Sequence, residues 1–361
     1  MDTQVLYKAL NEKGEVIDVG HTGTAMRFLT AYFSIQEDSK VILRGSKRMH
    51  QRPIAPLVNA LKDMGAHIEY LDKLGYPPLF ISGQKLNAQS VEIDGSMSSQ
   101  YVTALLLIAP ALENGLKVQL KGKITSLPYI EMTLKLLQQI GVMYTFNGNT
   151  ICVAPYNKSK VQSITVESDW SSASYLYSFF AISKMKEMRL KKFSKDSLQG
   201  DSKLQELYRN FGVESLWDND DLVLQKTFNI NSHLTIDCSR IPDLAQTIAV
   251  TAFALGVSLK LLGLHTLKIK ETDRLVALQN ELQKLGAHVQ IDSSSLVLDA
   301  REKNIKEDIL IETYQDHRMA MAFACLAATT PIRIQNPEVV KKSFIDFWEV
   351  WKQLGISCIE H

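Results

Sequence analysis

The sequence predicts an α/β protein built from one repeated unit and divided into two domains. Turns of small or polar residues run into nearly all-apolar helices. Amphipathic helices stop at a glycine and hand over to a strand-like run. Segments of the first kind return about every 70 to 77 residues, a period that marks repeat architecture.

The first kind comprises His21 to Leu29, Gly95 to Ala104, Glu167 to Tyr175, Asp237 to Thr247 and Tyr314 to Phe323. The helices that follow are apolar almost all round and are expected to be buried on most sides. The second kind begins with Leu57 to Gly65, where Leu57, Leu61 and Met64 form one stripe, and recurs at Leu134 to Gly141, Leu204 to Gly212, Leu278 to Gly286 and Phe347 to Gly355. Strand-like runs lie between, at Lys40 to Arg44, Lys117 to Lys121, Ser258 to Leu262 and Pro331 to Gln335. Two pseudo-symmetric domains with equal repeats require an even count, so one of the units is expected to be wholly or largely missing. The first recognisable unit starts close to Met1, which puts the gap at the N-terminus. A polar link with Pro155, Asn157, Lys158, Ser159 and Lys160 marks a boundary between Tyr156 and Val166, giving domains 1–165 and 166–361.

With 361 residues, 45% hydrophobic and 22% charged, the chain is long enough for two sizeable cores. Its 40 basic and 39 acidic residues nearly cancel, so nothing global attracts nucleic acid or a membrane surface, and any anion site must come from local clustering. Cys152, Cys238, Cys325 and Cys358 form no metal-ligand spacing and read as buried thiols of a reducing compartment. No run reaches the roughly 20 apolar residues of a membrane span. The N-terminus is unlike a signal peptide, so the expected location is cytoplasmic.

Leu267 to Arg274 carries five charges between an apolar run and an amphipathic helix. It reads either as a solvated face or as an anion site, because Lys270, Glu271 and Arg274 lie where a strand should turn into a helix and N–H groups and cations converge. Ser98 and Ser99 open an apolar helix, as helix caps or as phosphate ligands, with Gln100 beside them. Gly23 either allows close backbone approach next to Arg27 or is a turn glycine with Arg27 in a surface ion pair, and Arg52, held extended by Pro53, is either an aimed guanidinium or a solvated one. Asp243 at a helix start either complements the dipole or serves as a base. Arg318 in the first turn of its helix opposes the dipole and needs an anionic partner. Together Arg27, Arg52, Lys270, Arg274, Arg318 and Lys342 sit at or near turn-to-helix junctions, as expected of loops that neutralise a multiply charged substrate.

With these residues collected, the chain resembles the 3-phosphoshikimate 1-carboxyvinyltransferase (EPSP synthase) family over nearly its whole length. The resemblance rests on Gly23 to Arg27, Arg52 to Ile54, Gly95 to Gln100, Ser126 to Tyr129, Ile241 to Gln246, Lys270 to Arg274 and Asp316 to Met321, in family order. It implies a two-domain enolpyruvyl transferase fold of repeated βαβαββ-type units, with the active site in an interdomain cleft. The implied reaction moves the enolpyruvyl group of phosphoenolpyruvate to the 5-hydroxyl of shikimate 3-phosphate, a step of chorismate and aromatic amino acid biosynthesis. It needs neither metal nor organic cofactor, and its partners are small molecules only, with no nucleic acid or membrane and a monomeric chain.

By the same resemblance Ser98, Ser99, Gln100, Ser126, Tyr129, Asp243 and Lys270 contact shikimate 3-phosphate. Gly23, Arg52, Gln100, Lys270, Arg274, Arg318 and Lys342 hold phosphoenolpyruvate. Asp243 acts as base and Glu271 exchanges the proton at the methylene carbon. The family's N-terminal Lys-Ser pair and following Arg have no counterpart, which implies weak or no activity. His21, Thr266 and Leu127 also depart from common family residues. Two other readings are a catalytically dead fragment that only binds phosphorylated ligand, and the UDP-N-acetylglucosamine enolpyruvyl transferase. The latter uses a loop cysteine, and none of the four cysteines here sits in a polar loop beside an arginine.

Overall fold

A computed structural model describes residues 2–11, 14–156, 163–300 and 305–360. The chain forms two compact units, residues 1–165 and 166–361. The link residues 157–160 lie outside the described residues, so their expected role at a boundary goes without a structural account.

In the first unit, helix α1 (Asp2–Asn11) precedes two sets of elements with the same topology. The first set is β1 (Val16–Asp18), α2 (Gly23–Ser34), β2 (Lys40–Arg44), α3 (Ala55–Asp63), β3 (His67–Tyr70) and β4 (Leu79–Ser82). The second is β5 (Ser90–Asp94), α4 (Ser99–Ile108), β6 (Leu116–Lys121), α5 (Leu127–Gln139), β7 (Tyr144–Asn147) and β8 (Thr150–Val153). Their sheets run β1-β2-β4-β3 and β5-β6-β8-β7. In each, the first two strands are parallel and the rest antiparallel. These are βαβαββ sets. Alternation puts Val91 and Ile93 of β5 inward and leaves Ser90, Glu92 and Asp94 exposed, as one buried sheet face requires.

The second unit opens with α6 (Trp170–Ile182), β9 (Glu187–Leu190), α7 (Leu204–Tyr208), β10 (Phe211–Asp218) and β11 (Asp221–Ile230). A full βαβαββ set follows: β12 (His233–Asp237), α8 (Ala245–Leu255), β13 (Ser258–Leu262), α9 (Arg274–Lys284), β14 (His288–Ile291) and β15 (Leu296–Asp299). Then come β16 (Ile309–Ile311), α10 (His317–Ala324), β17 (Ile332–Ile334) and α11 (Phe347–Gln353). Among the described residues β16 pairs in parallel with β17, and β9 edges an antiparallel sheet of order β10-β11-β9.

The all-apolar helices form the centre of each unit, and every residue of α8 from Ala245 to Ala254 is buried. Their few hydroxyls meet in pairs. Ser174 on α6 faces Thr247 on α8 at 3.2 Å, and Thr251 donates to Ser178 at 2.7 Å, each pair 73 residues apart. The sequence period is thus a packing relation between equivalent helix positions.

Two expectations are corrected. Gly212 does not stop a helix: α7 ends at Tyr208, and Gly212, with φ 75°, lies inside β10 where the register shifts between Phe211 and Val213. A Cβ there would stand 2.9 Å from the Thr227 carbonyl oxygen, so the bulge needs glycine. Of the four thiols, Cys238 and Cys325 are buried as expected, but Cys152 and Cys358 are only partly covered. Among the described residues, no helix is long and apolar enough to cross a membrane.

Candidate active site

The sequence-predicted residues share one structural address. Each lies in the loop or helix start that follows a strand of a parallel pair, so strand direction delivers them to the carboxyl ends of the sheets. Ligands of open α/β sheets bind at that edge.

In the first unit, Gly23 opens α2 after β1, and Arg52 lies in the loop after β2 with φ −93° and ψ 123°, extended as Pro53 demands. A Cβ on Gly23 would stand 2.6 Å from Arg52 Nη1 and 3.0 Å from Arg27 Nη1. Glycine is therefore what lets both guanidinium groups crowd the start of α2. Arg27 is buried and donates to the carbonyls of Gly23 and Pro53, each at 3.2 Å. Gln100, at the start of α4, donates to Thr24 Oγ1 at 3.1 Å and ties the second set to the first. The Tyr101 hydroxyl reaches the Pro53 carbonyl at 2.5 Å.

Ser98 caps α4, its Oγ accepting the Gln100 N–H at 3.3 Å, and Ser99 is buried behind it. Ser126 occupies the equivalent loop after β6. Its backbone is left-handed, φ 52° and ψ 37°, and its side chain makes no cap bond to α5. A non-glycine residue in that region is held there by its surroundings, here by Thr125, whose N–H and hydroxyl both reach the Gly95 carbonyl. Tyr129, in the first turn of α5, is partly exposed.

In the second unit, Asp243 comes from a 3-10 turn, Pro242–Leu244, that leads into α8. Lys270, Glu271 and Arg274 follow β13, Asp316 and Arg318 follow β16, and Lys342 follows β17. Here they converge. Arg274 Nη1 donates to Asp243 Oδ1 at 3.1 Å and Nη2 to Glu271 Oε2 at 2.8 Å. Its Nε and Nη2 reach the two oxygens of Asp316 at 2.7 and 3.3 Å. Arg318 Nη2 donates to Asp243 Oδ2 at 3.0 Å, and Lys270 Nζ lies 3.6 Å from Asp243 Oδ1. Lys342 donates to Glu271 Oε1. Arg318 thus has the anionic partner that its place against the helix dipole demands.

Four cations here face three carboxylates, all in contact. Burial pushes the Asp243 carboxyl up, but Arg318, Lys270 and Arg274 together hold it well below the usual carboxylate range. Burial lowers Lys270, with only partial offset from Asp243. For Arg274 burial is outweighed by Asp316, Glu271 and Asp243, which raise it. His317, beside Asp316, is pulled down to about 3 by burial and is neutral. The cluster packs four cations around an ionised Asp243 and its neighbouring carboxylates, an arrangement that can serve proton transfer next to a bound anion.

Sequence reasoning missed Asp316, Tyr175, Asp201 and Thr24. Asp316 reads in sequence as a cap of α10, and does accept the Arg318 N–H at 2.9 Å, but its second role depends on Arg274, 42 residues away. The Tyr175 hydroxyl lies 3.4 Å from Arg318 Nη1. Asp201 is buried, accepts from Ser171 Oγ at 2.5 Å, and is raised to about 6 by burial. An aspartate among the serines of α6 has no sequence signature of its own.

Residues 3–351 match the family model for EPSP synthase (3-phosphoshikimate 1-carboxyvinyltransferase). The chain is 43% identical over 359 residues to a 3-phosphoshikimate 1-carboxyvinyltransferase of Bacteroides fragilis, covering 99% of this chain and 87% of that one. With the Vibrio cholerae protein of the same name, identity is 39% and the shares are 93% and 78%. The fold is similar to that of EPSP synthase from Acinetobacter baumannii, with TM-score 0.74 and 22% identity over 95% of this chain and 80% of that one. It is also similar to the enolpyruvyl transferase NikO of Streptomyces tendae, with TM-score 0.66 and 15% identity over 92% and 76%. The expectation of an absent N-terminal segment rests on the motif reading alone, and nothing in these matches supports it. The chain has the mixed α/β enolpyruvyl transferase fold and belongs to the EPSP synthase (3-phosphoshikimate 1-carboxyvinyltransferase) family.

Proposed function

We propose that this chain transfers the enolpyruvyl group of phosphoenolpyruvate to the 5-hydroxyl of shikimate 3-phosphate. The supporting observation is the array of Arg274, Arg318, Lys270 and Lys342 around Asp243 and Glu271. Arg274, Arg318, Lys270 and Lys342, with Gly23, Arg52 and Gln100, hold the phosphate and carboxylate of phosphoenolpyruvate. Ser98, Ser99, Ser126, Gln100 and Tyr129, with Asp243 and Lys270, hold shikimate 3-phosphate. Residues 1–165 are a substrate-binding domain, and residues 166–361 are the phosphoenolpyruvate side. No metal or organic cofactor takes part, and the chain works as a cytoplasmic monomer on small molecules.

The chemistry follows from the charges. Protonation of C3 of phosphoenolpyruvate develops positive character at C2. The 5-hydroxyl oxygen bonds to C2 as its proton passes to Asp243. The tetrahedral adduct then loses a proton from C3 and the C2–O bond to phosphate breaks, leaving the enol ether and inorganic phosphate. Glu271 carries the proton at C3 in both directions. A dianionic ligand engages the cations that now hold Asp243 ionised, and its own charge raises the proton affinity of the carboxylates beside it. Substrate binding thereby converts weak bases into usable ones. The test is mass analysis of the product formed from both substrates. The enolpyruvyl adduct with one phosphate released per turnover is the expected result, and unchanged substrates would refute the reading.

A further inference from the structure

Tyr314 and Gln315, just before Asp316, both have left-handed backbones, with φ 54° and 56°. Neither is glycine, so each holds a conformation that persists only where its surroundings enforce it. A backbone bond from the Asp316 N–H to the Thr313 carbonyl closes the turn, and Glu281 is placed to hold it. Its carboxylate, wholly buried on α9, accepts from the Tyr314 hydroxyl at 2.7 Å and from the Glu312 N–H at 3.1 Å. Lys284 Nζ balances its charge at 2.8 and 2.9 Å, and Asn280 lies 3.5 Å from the same tyrosine hydroxyl.

Glu281 follows Arg274 by two helical turns on one face of α9, a separation of roughly 10 Å along the axis. Arg274 grips Asp316, and Glu281 grips the residues before it, so one helix holds the Glu312–Asp316 loop at two points. A leucine at 281 would share a face with the buried Leu278 and Leu285 without the cost of burying a charge. The charge therefore calls for a role beyond packing.

We propose that Glu281 is a positioning residue for the cation cluster. By enforcing the left-handed turn it sets where Asp316 caps α10, and so where Arg274 and Arg318 aim. It touches no substrate. The activity readout rests on the function proposed above, whereas the exchange readout does not.

The experiment compares Glu281→Ala, Glu281→Gln and Tyr314→Phe, with Gln315→Gly alone and added to Glu281→Ala. In Glu281→Ala, kcat is expected to fall about tenfold or more in a chain folded by circular dichroism, while Glu281→Gln, which keeps an acceptor, stays within about threefold. Gln315→Gly, which tolerates positive φ, recovers about threefold in the Glu281→Ala background, more than it gains alone. Amide hydrogen exchange over residues 309–319 quickens about tenfold in Glu281→Ala while β12 and β13 keep their rates. Should Glu281→Ala not fold, Tyr314→Phe, which removes one hydroxyl, is expected to quicken the same stretch. Unchanged exchange over 309–319 overturns the proposal, whether or not the chain turns over. So does a kcat loss in an active chain that Gln315→Gly does not relieve.

Discussion

Arg274 and Asp316 meet with Nε 2.7 Å from Oδ2 while 2% and 0% of their side chains are exposed. An ion pair so placed has no water to replace a lost partner. Removing one member of a buried pair typically costs about 3–5 kcal/mol because the other charge stays behind. Arg274 also holds Glu271 and Asp243, which keep part of its neutralisation. Asp316→Ala is therefore expected to lower unfolding free energy by about 3 kcal/mol, the low end of that range, measured by urea denaturation. A change below ~1 kcal/mol would contradict the account.

Asp243 and Glu271 are assigned to proton movement, so their amides should remove chemistry and leave the fold. Asp243→Asn and Glu271→Gln are each expected to lower kcat about 10²–10⁴-fold, the usual range for losing a general acid or base. Phosphoenolpyruvate affinity by calorimetry should fall far less, because the cations remain. Equal losses in kcat and affinity would instead mark these carboxylates as ligand-orienting groups.

The Arg52 and Arg27 guanidinium groups fill the space that a Cβ on Gly23 would need. Gly23→Ala puts a methyl where the 2.6 Å contact to Arg52 Nη1 leaves no room, but the obstructed atom ends a flexible side chain. Stability should change by less than ~1 kcal/mol. The KM for phosphoenolpyruvate should rise about tenfold, as expected when one charge-assisted contact is displaced. Steady-state kinetics and thermal unfolding on the same sample separate the two effects.

The pH dependence of stability contains two opposed contributions. His317 has a folded pKa of about 3, below the ordinary 6.5, so its contribution is complete above 6.5 and is lost as pH falls toward 3. Asp201, raised from 3.8 to about 6, contributes fully below 3.8 and loses that contribution as pH rises through 6. Between pH 4 and 6 they oppose one another. Asp201→Asn should steepen the rise of stability with pH across that window and add up to about 3 kcal/mol at pH 8. His317→Gln should flatten the rise. Denaturant midpoints from pH 4 to 8 give both slopes, and an unchanged slope in either variant would refute its assignment.

Much of this molecule could be read from its residues because each repeat obeys local rules. Lys40–Arg44 and Ser258–Leu262 form strands as their alternation predicts, and Gly65, Gly286 and Gly355 follow helices with positive φ. The Leu204 to Gly212 stretch misled because a glycine after an apolar stripe has the same signature whether it ends a helix or makes a bulge. The cations of the second unit were legible as helix-start charges. Their carboxylate partner Asp316 was less so, as was Asp201, which holds Ser171: these two depend on contacts 42 and 30 residues distant. Glu281 did leave a trace, a charge on the buried stripe of Leu275, Leu278 and Leu282. That trace has meaning only once Tyr314 is seen opposite it.

The most direct test of the central claim is the rate of inorganic phosphate release from phosphoenolpyruvate as shikimate 3-phosphate is titrated in. The account predicts release that saturates with shikimate 3-phosphate, is negligible without it, and is lost in Glu271→Gln. Release independent of shikimate 3-phosphate, or none with both substrates present, would contradict it.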